Sequence, residues 1–198
     1  MGAAAVIADY NGVEKASHVR DKLVEMTHLN ETIYGTGIAA SHQATRMPSG
    51  VYLSDDMLSN VCKHHVTRLP YEIGRLAQDL AGGLMVTLPS EKDLRHPEIG
   101  EIVRKYLKGR DEIPTEDRIR VLRLIENMTL GRNAVGYLTE SMHGAGSPQA
   151  QRVQISRAMQ VEFKKQLAQS LAGIVPGSVE EPAEDYLARV FEPLTAKT

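Results

Sequence analysis

One stretch decides the fold of this chain: Gly136-Tyr-Leu-Thr-Glu-Ser-Met-His-Gly-Ala-Gly-Ser-Pro-Gln-Ala-Gln-Arg152. Its first part has the composition of a helix that ends at Gly144 and Gly146, because glycine supplies the left-handed residue that closes a helix. Ser147 and Pro148 then predict the start of the next helix, with serine as the N-cap and proline in the first turn. The stretch therefore predicts a tight corner between two helices.

This corner has two interpretations. The N–H groups in the first turn of a helix have no partner within that helix, so the helix start at Pro148 could bind a phosphate or pyrophosphate group. The same corner could be only a turn that joins two helices. The residue pattern by itself favours the simple turn.

Apolar residues elsewhere recur every three or four positions, which predicts long amphipathic helices. The predicted helices span residues 3–46, 55–81, 97–108, 114–142 and 148–172, with a loop over 84–95. Gly35 and Gly37 would bend or end the first helix, since glycine costs about 1 kcal/mol in a helix interior. Pro70 should kink the second helix near Leu69, and Gly82 with its neighbouring glycine should end it.

Four long amphipathic segments with almost no alternating pattern predict an all-α protein, arranged as an up-and-down four-helix bundle. The bundle domain would cover residues 1–175, and a short C-terminal tail over 176–198 would hold one short helix at about residues 182–190. Aromatic residues make up only 5% and Trp is absent, so the core must consist of aliphatic side chains and methionine.

The composition argues against several classes of function. A net charge of −2 with 24% charged residues gives no sign of a nucleic-acid or membrane surface. The single cysteine, Cys62, excludes an internal disulfide and an all-cysteine metal site within one chain. No run approaches the roughly 18 apolar residues of a membrane helix, and no signal peptide is visible. We expect a cytoplasmic protein.

No self-contained catalytic motif is present, so single residues are the candidates. His28 lies in the middle of a helix with Glu31 nearby, and a packing histidine is the favoured interpretation. His64 and His65 point to different faces of a helix and cannot readily share a metal ion. A polar stripe at helical spacing leads to Gly82, and its ordinary interpretation is a solvated face with salt bridges. The stripe consists of Arg68, Arg75, Gln78 and Asp79.

Three separated blocks carry a resemblance to a known family. They are His28-Leu-Asn-Glu-Thr-Ile-Tyr-Gly-Thr-Gly-Ile-Ala-Ala-Ser41, Asn60-Val-Cys-Lys-His-His-Val-Thr-Arg-Leu-Pro-Tyr-Glu-Ile-Gly-Arg-Leu-Ala-Gln-Asp-Leu-Ala-Gly-Gly83 and Thr139-Glu-Ser-Met-His-Gly-Ala-Gly-Ser-Pro-Gln-Ala-Gln-Arg152. In this order they resemble the 4-hydroxybutyryl-CoA dehydratase/vinylacetyl-CoA Δ-isomerases, which belong with the 4-hydroxyphenylacetate 3-hydroxylase family and share the architecture of acyl-CoA dehydrogenases. The resemblance covers only that family's C-terminal helical domain, so the N-terminal helical and β-barrel domains would lie outside this chain.

The resemblance implies an FAD site at the edge of a helical bundle in a tetramer, where a glycine corner contacts the FAD of a neighbouring subunit. The residues that match this corner are Glu140, His143, Gly144, Gly146 and Gln149. Arg75 and Gln78 are the second candidate surface for cofactor or subunit contact.

The dehydratases of the family also hold an iron–sulfur cluster through three cysteines and one histidine. The resemblance places that histidine at His28 and would require a cysteine about two turns later, where Gly35 and Thr36 stand instead. Cys62 lies on another helix. Because neither glycine nor threonine can replace a thiolate, we expect no cluster, no other metal site and no radical dehydration.

Isomerisation of vinylacetyl-CoA to crotonyl-CoA requires fewer catalytic groups than the radical dehydration. It needs a base that removes the C2 proton and an acid that returns a proton at C4. His28, Glu31 and the tail carboxylate Glu192 are candidates by residue type, and His28 also by the resemblance.

Three functions remain open at this point. The first is the FAD-facing C-terminal domain of a dehydratase/isomerase-like protein of 4-aminobutyrate metabolism, inactive or isomerase-only without its N-terminal part. The second is a fragment of a flavin-dependent aromatic hydroxylase, and the third is a non-enzymatic oligomerising helical bundle. The expected partners are a second copy, as a homodimer or homotetramer, a separate N-terminal flavin-domain chain and an acyl-CoA substrate.

Overall fold

A computed structural model of the protein describes residues 1–174, and within them all regular structure except one small hairpin is helical. The α-helices are α1 (Gly2–Tyr10), α2 (Ser17–His42), α3 (Asp56–Val66), α4 (Leu69–Ala81), α5 (Glu91–Leu94), α6 (Gly100–Leu107), α7 (Thr115–Thr129), α8 (Ala134–Tyr137), α9 (Thr139–Gly144), α10 (Pro148–Ala158) and α11 (Val161–Leu171). The hairpin pairs β1 (Thr45–Arg46) with β2 (Tyr52–Leu53) in antiparallel fashion. The predicted all-α class is confirmed. The tail over 176–198, with the helix predicted at about residues 182–190 and Glu192, lies outside the described residues.

The first predicted helix breaks earlier than expected. Gly12 adopts the left-handed conformation with φ of 70°, so α1 ends at Tyr10 and α2 begins at Ser17. Gly35 and Gly37 do not end the helix, because α2 continues through both to His42. An unbroken helix of 26 residues outweighs the local cost of two glycines.

The second predicted helix is divided rather than kinked. α3 ends at Val66 and α4 starts at Leu69, which puts Pro70 in the first turn of α4. Proline is tolerated there because the first-turn N–H groups have no partner within the helix. The predicted stop is confirmed, since Gly82 follows α4 with φ of 74°.

The last two long helices are also divided into shorter ones. Residues 114–142 form α7, α8 and most of α9, with a break at Leu130 and Gly131, whose N–H groups both donate to the Glu126 carbonyl oxygen. The helix predicted over 148–172 is interrupted at Gln160, which adopts the left-handed conformation with φ of 51°. The chain therefore has more and shorter helices than a plain four-helix bundle.

The apolar core lies where α1, α4 and α7 pack against one another and α2 packs against α4. The largest fully buried side chains are Ile7, Met26, Leu122 and Ile125. α3 packs against α2 on one side and against α10 on the other. α3 thus connects the core to the glycine corner before α10.

We expect Leu122→Ala to lower the free energy of unfolding by about 2–5 kcal/mol, because Leu122 has no exposed surface and its truncation leaves a cavity. Leu124→Ala is the matched control on the same helix, since Leu124 is 49% exposed, and it should change stability by about 0.5 kcal/mol or less. Urea denaturation of the two variants measures the difference. Equal effects would contradict this placement of the core.

Candidate functional site

The glycine corner is built by a change of backbone conformation over four residues. α9 ends at Gly144, and Gly146 adopts the left-handed conformation with φ of 87°. Ser147 is extended and is the N-cap of α10, with Pro148 in the first turn, as the sequence predicts. The Ser147 side chain makes no capping hydrogen bond, so the residue ends the turn through its backbone alone.

The corner is open on its outer side. A Cβ atom added at Gly144 or at Gly146 would meet no atom within 4 Å. Within residues 1–174, no hydrogen bond uses the backbone N–H groups of Ser147, Gln149 or Ala150. Unpaired N–H groups at the start of a helix are suited to a negatively charged group, because the helix dipole adds partial positive charge there.

The inner side of the corner is closed by Gln151. Its Nε2 atom donates to the carbonyl oxygens of Ala145, at 2.8 Å, and Gly146, at 3.1 Å. Its Oε1 atom lies 3.4 Å from Nδ1 of His64 on α3. Gln151 is only 3% exposed. The sequence does not single out Gln151, and the only signal for its role is that side chains early in a helix tilt back toward the residues that precede it.

A basic segment meets this corner from the other side. The last turn of α3 carries Lys63, His64 and His65, and Arg68 follows at the start of α4. Burial first, and then the charges of His64 and Arg68, lower the pKa of His65. The His64–Gln151 contact docks the last turn of α3 against the corner. The unpaired N–H groups at the start of α10 favour an anion rather than a cation.

The predicted corner residues lie together at the surface. Glu140, His143 and Gln149 are exposed, as are Gly144 and Gly146. Glu140 turns back over the preceding helix, where its carboxylate is 3.5 Å from the position of a Cβ atom built on Gly136.

The polar stripe of α4 has partners of its own. Arg75 donates two hydrogen bonds to Glu72, at 2.6 and 2.8 Å, and Asp79 pairs with Lys22 at 2.7 Å. Gln78 donates to the Thr129 carbonyl oxygen at 3.1 Å and so connects α4 to the end of α7. The arrangement agrees with the ordinary interpretation of a salt-bridged face. The Gln78 amide holds two helices together.

His28 and Glu31 lie on an exposed face of α2. The favoured interpretation of His28 as a packing histidine is wrong, because its side chain faces outward. They belong to one stripe at spacings of four and three residues, which runs through Val24, His28, Glu31, Gly35 and Ile38. Val24 is 68% and Ile38 is 53% exposed, so the stripe combines titratable and unpartnered apolar side chains.

Cys62 is a half-buried thiol on the inner side of α3. Its Sγ atom is 3.5 Å from the Ile33 carbonyl oxygen, and burial raises the pKa of the thiol. Among residues 1–174, no group of three or more His, Cys, Asp or Glu side chains is arranged to hold a metal ion. The iron–sulfur cluster's absence stays a prediction. No helix in the same range is long and apolar enough to cross a membrane.

The chain is similar to proteins of one known family. The family model of the 4-hydroxyphenylacetate 3-hydroxylase C terminal (HpaB) matches residues 1–173. The chain belongs to this family, and the resemblance carried by the three sequence blocks is confirmed.

Within the family, the chain corresponds to the C-terminal domain of a 4-hydroxybutyryl-CoA dehydratase-like protein. It is 55% identical over 182 residues to the 4-hydroxybutyryl-CoA dehydratase/vinylacetyl-CoA Δ-isomerase of Clostridium aminobutyricum, covering 88% of this chain and 37% of that protein. It also matches the structure of an oxygen-tolerant archaeal 4-hydroxybutyryl-CoA dehydratase from N. maritimus, with a TM-score of 0.89, 69% identity and coverage of 98% of this chain and 39% of that one. The chain thus spans less than two fifths of these relatives.

The hydroxylase branch is more distant. The oxygenase component of 4-hydroxyphenylacetate 3-monooxygenase from Thermus thermophilus is 27% identical over 66% of this chain and 27% of that protein. An HpaB crystal structure complexed with FAD and 4-hydroxyphenylacetate has a TM-score of 0.76 at 23% identity, over 86% of this chain and 35% of that one. This branch shares the fold, and FAD is bound within the family.

The raised pKa predicts slow reaction of Cys62 with thiol reagents. Since the thiolate is the reactive form, a raised pKa leaves less of it at pH 8 than in an unperturbed thiol. Labelling with a disulfide reagent should therefore be slower than for free glutathione at pH 8, and the gap should narrow as the pH rises further. Equal rates at pH 8 would contradict the burial of this side chain.

Proposed function

We propose that this chain is the flavin-facing domain of a 4-hydroxybutyryl-CoA dehydratase/vinylacetyl-CoA Δ-isomerase-like protein, and that its glycine corner binds the pyrophosphate of FAD. The observation that carries the proposal is the open corner, where three backbone N–H groups have no partner among residues 1–174 and the last turn of α3 is docked through His64. These donors fit a pyrophosphate, which accepts hydrogen bonds from backbone N–H groups. When bound, FAD would supply an electron acceptor or donor beside the acyl-CoA.

The exposed stripe of α2 would form one wall of the acyl-CoA site. His28 and Glu31 are one helical turn apart on the same face, so both can reach one small acyl group. In the isomerisation, the His28 imidazole would take the C2 proton, the double bond would shift, and a proton from His28 or Glu31 would be added at C4. If His28 gives back the proton it took, the cycle closes directly; if Glu31 donates, the proton held by His28 must pass to Glu31 to restore both groups.

Gly35 would allow a ligand or another backbone to approach the α2 stripe closely. It lies inside α2, and a Cβ atom at this position would meet no atom within 4 Å among residues 1–174. Alanine would therefore be accommodated and would stabilise the helix by about 1 kcal/mol. A glycine at such a position allows another backbone or a ligand to approach the helix closely.

The exposed apolar surface supports partners. Val24 and Ile38 on α2 are exposed, and Leu167, Leu171 and Ile174 near the C-terminal end of the described residues are also each at least 49% exposed. Unpartnered apolar surface of this kind is covered by association. We propose a homodimer or homotetramer in the cytoplasm that is completed by an N-terminal flavin domain. This assembly would lack the iron–sulfur cluster and would retain at most the isomerase reaction.

The degree of similarity favours this assignment over an aromatic hydroxylase. Identity to the dehydratases is 55% and 69%, against 27% and 23% to the hydroxylase proteins. Turnover of vinylacetyl-CoA without hydroxylation of a phenol would separate the two.

Gly146→Ala should weaken FAD binding when the chain is assembled with the N-terminal portion of a dehydratase. A side chain at φ of 87° costs roughly 1–2 kcal/mol and displaces the corner. Gly50→Ala is the matched control, because Gly50 has φ of 88°, equally open surroundings and a place in the hairpin turn. Flavin fluorescence titration measures both. Equal FAD affinities of Gly146→Ala and Gly50→Ala would show that the corner does not bind FAD.

His28→Ala should lower the isomerisation rate of the same assembly by about 10²–10⁴-fold, the usual loss on removal of a general base. His42→Ala, an exposed histidine on the same helix, should leave the rate unchanged. The rate is followed as crotonyl-CoA formation from vinylacetyl-CoA. A His28→Ala variant as active as the His42→Ala control would exclude His28 as the base.

A further inference from the structure

We infer that Gln151 is the positioning residue of the glycine corner, because its carboxamide occupies the carbonyl groups of Ala145 and Gly146 and thereby leaves the N–H groups of Gln149 and Ala150 available to an anion. This inference rests on the proposed function of the corner. Gln151 would thus determine the shape of the site although its side chain faces away from the ligand.

The hydrogen bonds fix the orientation of the carboxamide. Nε2 has two hydrogen atoms and two carbonyl oxygens within reach, at 2.8 and 3.1 Å. Turning the amide over would place Oε1 against those two oxygens and lose both bonds. Oε1 therefore faces His64, and Nδ1 of His64 must donate to it.

The same geometry explains why the N–H groups at the start of α10 are unpaired. In a continuous helix, the N–H groups of Gln149 and Ala150 would donate to the carbonyl oxygens of Ala145 and Gly146, four residues earlier. The left-handed Gly146 prevents this, and Gln151 satisfies the two carbonyl oxygens in place of the backbone. The carbonyl oxygens of Ala145 and Gly146 are therefore hydrogen-bonded on the inner side of the corner. The N–H groups of Gln149 and Ala150 face its outer side.

Burial and an external contact make the arrangement rigid. Gln151 is 3% exposed, so loss of its amide would leave carbonyl oxygens with no partner. The His64 contact fixes the carboxamide to α3, which packs against the core helix α2. The corner is thus held at a defined position relative to the rest of the domain.

Gln151→Met tests the inference in the chain assembled with an N-terminal flavin domain. Methionine has nearly the same length and no amide, so we expect affinity for FAD and for inorganic pyrophosphate to fall about tenfold, the size expected for two net hydrogen bonds. Gln154→Met, one turn away and half-buried on the same helix, is the matched control and should bind like the wild type.

Gln151→Glu tests the role of the hydrogen bonds separately from the role of side-chain volume, through the pH dependence of affinity. An ionised carboxylate only accepts hydrogen bonds and would repel the two carbonyl oxygens, whereas a protonated carboxyl group can donate one bond. Its affinity relative to the wild type should therefore be lowest at neutral pH and recover as the pH falls. If Gln151 only filled space, this ratio would not change with pH.

The outcomes separate the two claims. If the wild type binds neither FAD nor pyrophosphate, the proposed function is wrong and this inference falls with it. If the wild type binds and Gln151→Met binds equally well, only the positioning role is overturned. Circular dichroism shows whether Gln151→Met folds, and if it does not, the pH dependence of Gln151→Glu decides.

Discussion

The buried carboxamide of Gln151 connects the C-terminal quarter of the described chain to α3. Among residues 135–174, Gln151 is the only buried residue, and its partners are two carbonyl groups of the corner and a histidine of α3. A buried amide is costly without hydrogen bonds, so these contacts fix the register of the segment in addition to the packing of α10 on α3. The position of the glycine corner depends on this contact.

The burial of apolar side chains differs between parts of the domain. On the inner side, α1, α4 and α7 bury aliphatic residues almost completely, as at Ile7 and Leu122. Elsewhere, the α2 stripe exposes Val24 and Ile38, and α11 has no buried residue. A complete core beside apolar surface left exposed within residues 1–174 agrees with relatives in which this region is less than two fifths of the chain.

Local capping signals could be predicted from the sequence, whereas most helix breaks could not. Ser147-Pro148 and Gly82 act within a few residues, and the structure has both where the sequence places them. The breaks near Arg68 and at Gln160 interrupt segments whose apolar periodicity continues, and a left-handed glutamine has no sequence signature. Gln151 was missed because its role depends on His64, 87 residues away.

α3 supports both candidate surfaces, and its geometry relates them. Cys62 reaches the Ile33 carbonyl oxygen of α2, while His64 reaches Gln151 of α10. Residues two apart on a helix point about 200° from each other, so these contacts lie on nearly opposite sides of α3. The helix that carries His28 and the corner proposed for FAD are therefore spaced by the width of one helix. A substitution that shifts α3 would move the acyl-CoA wall and the pyrophosphate corner relative to each other without touching either.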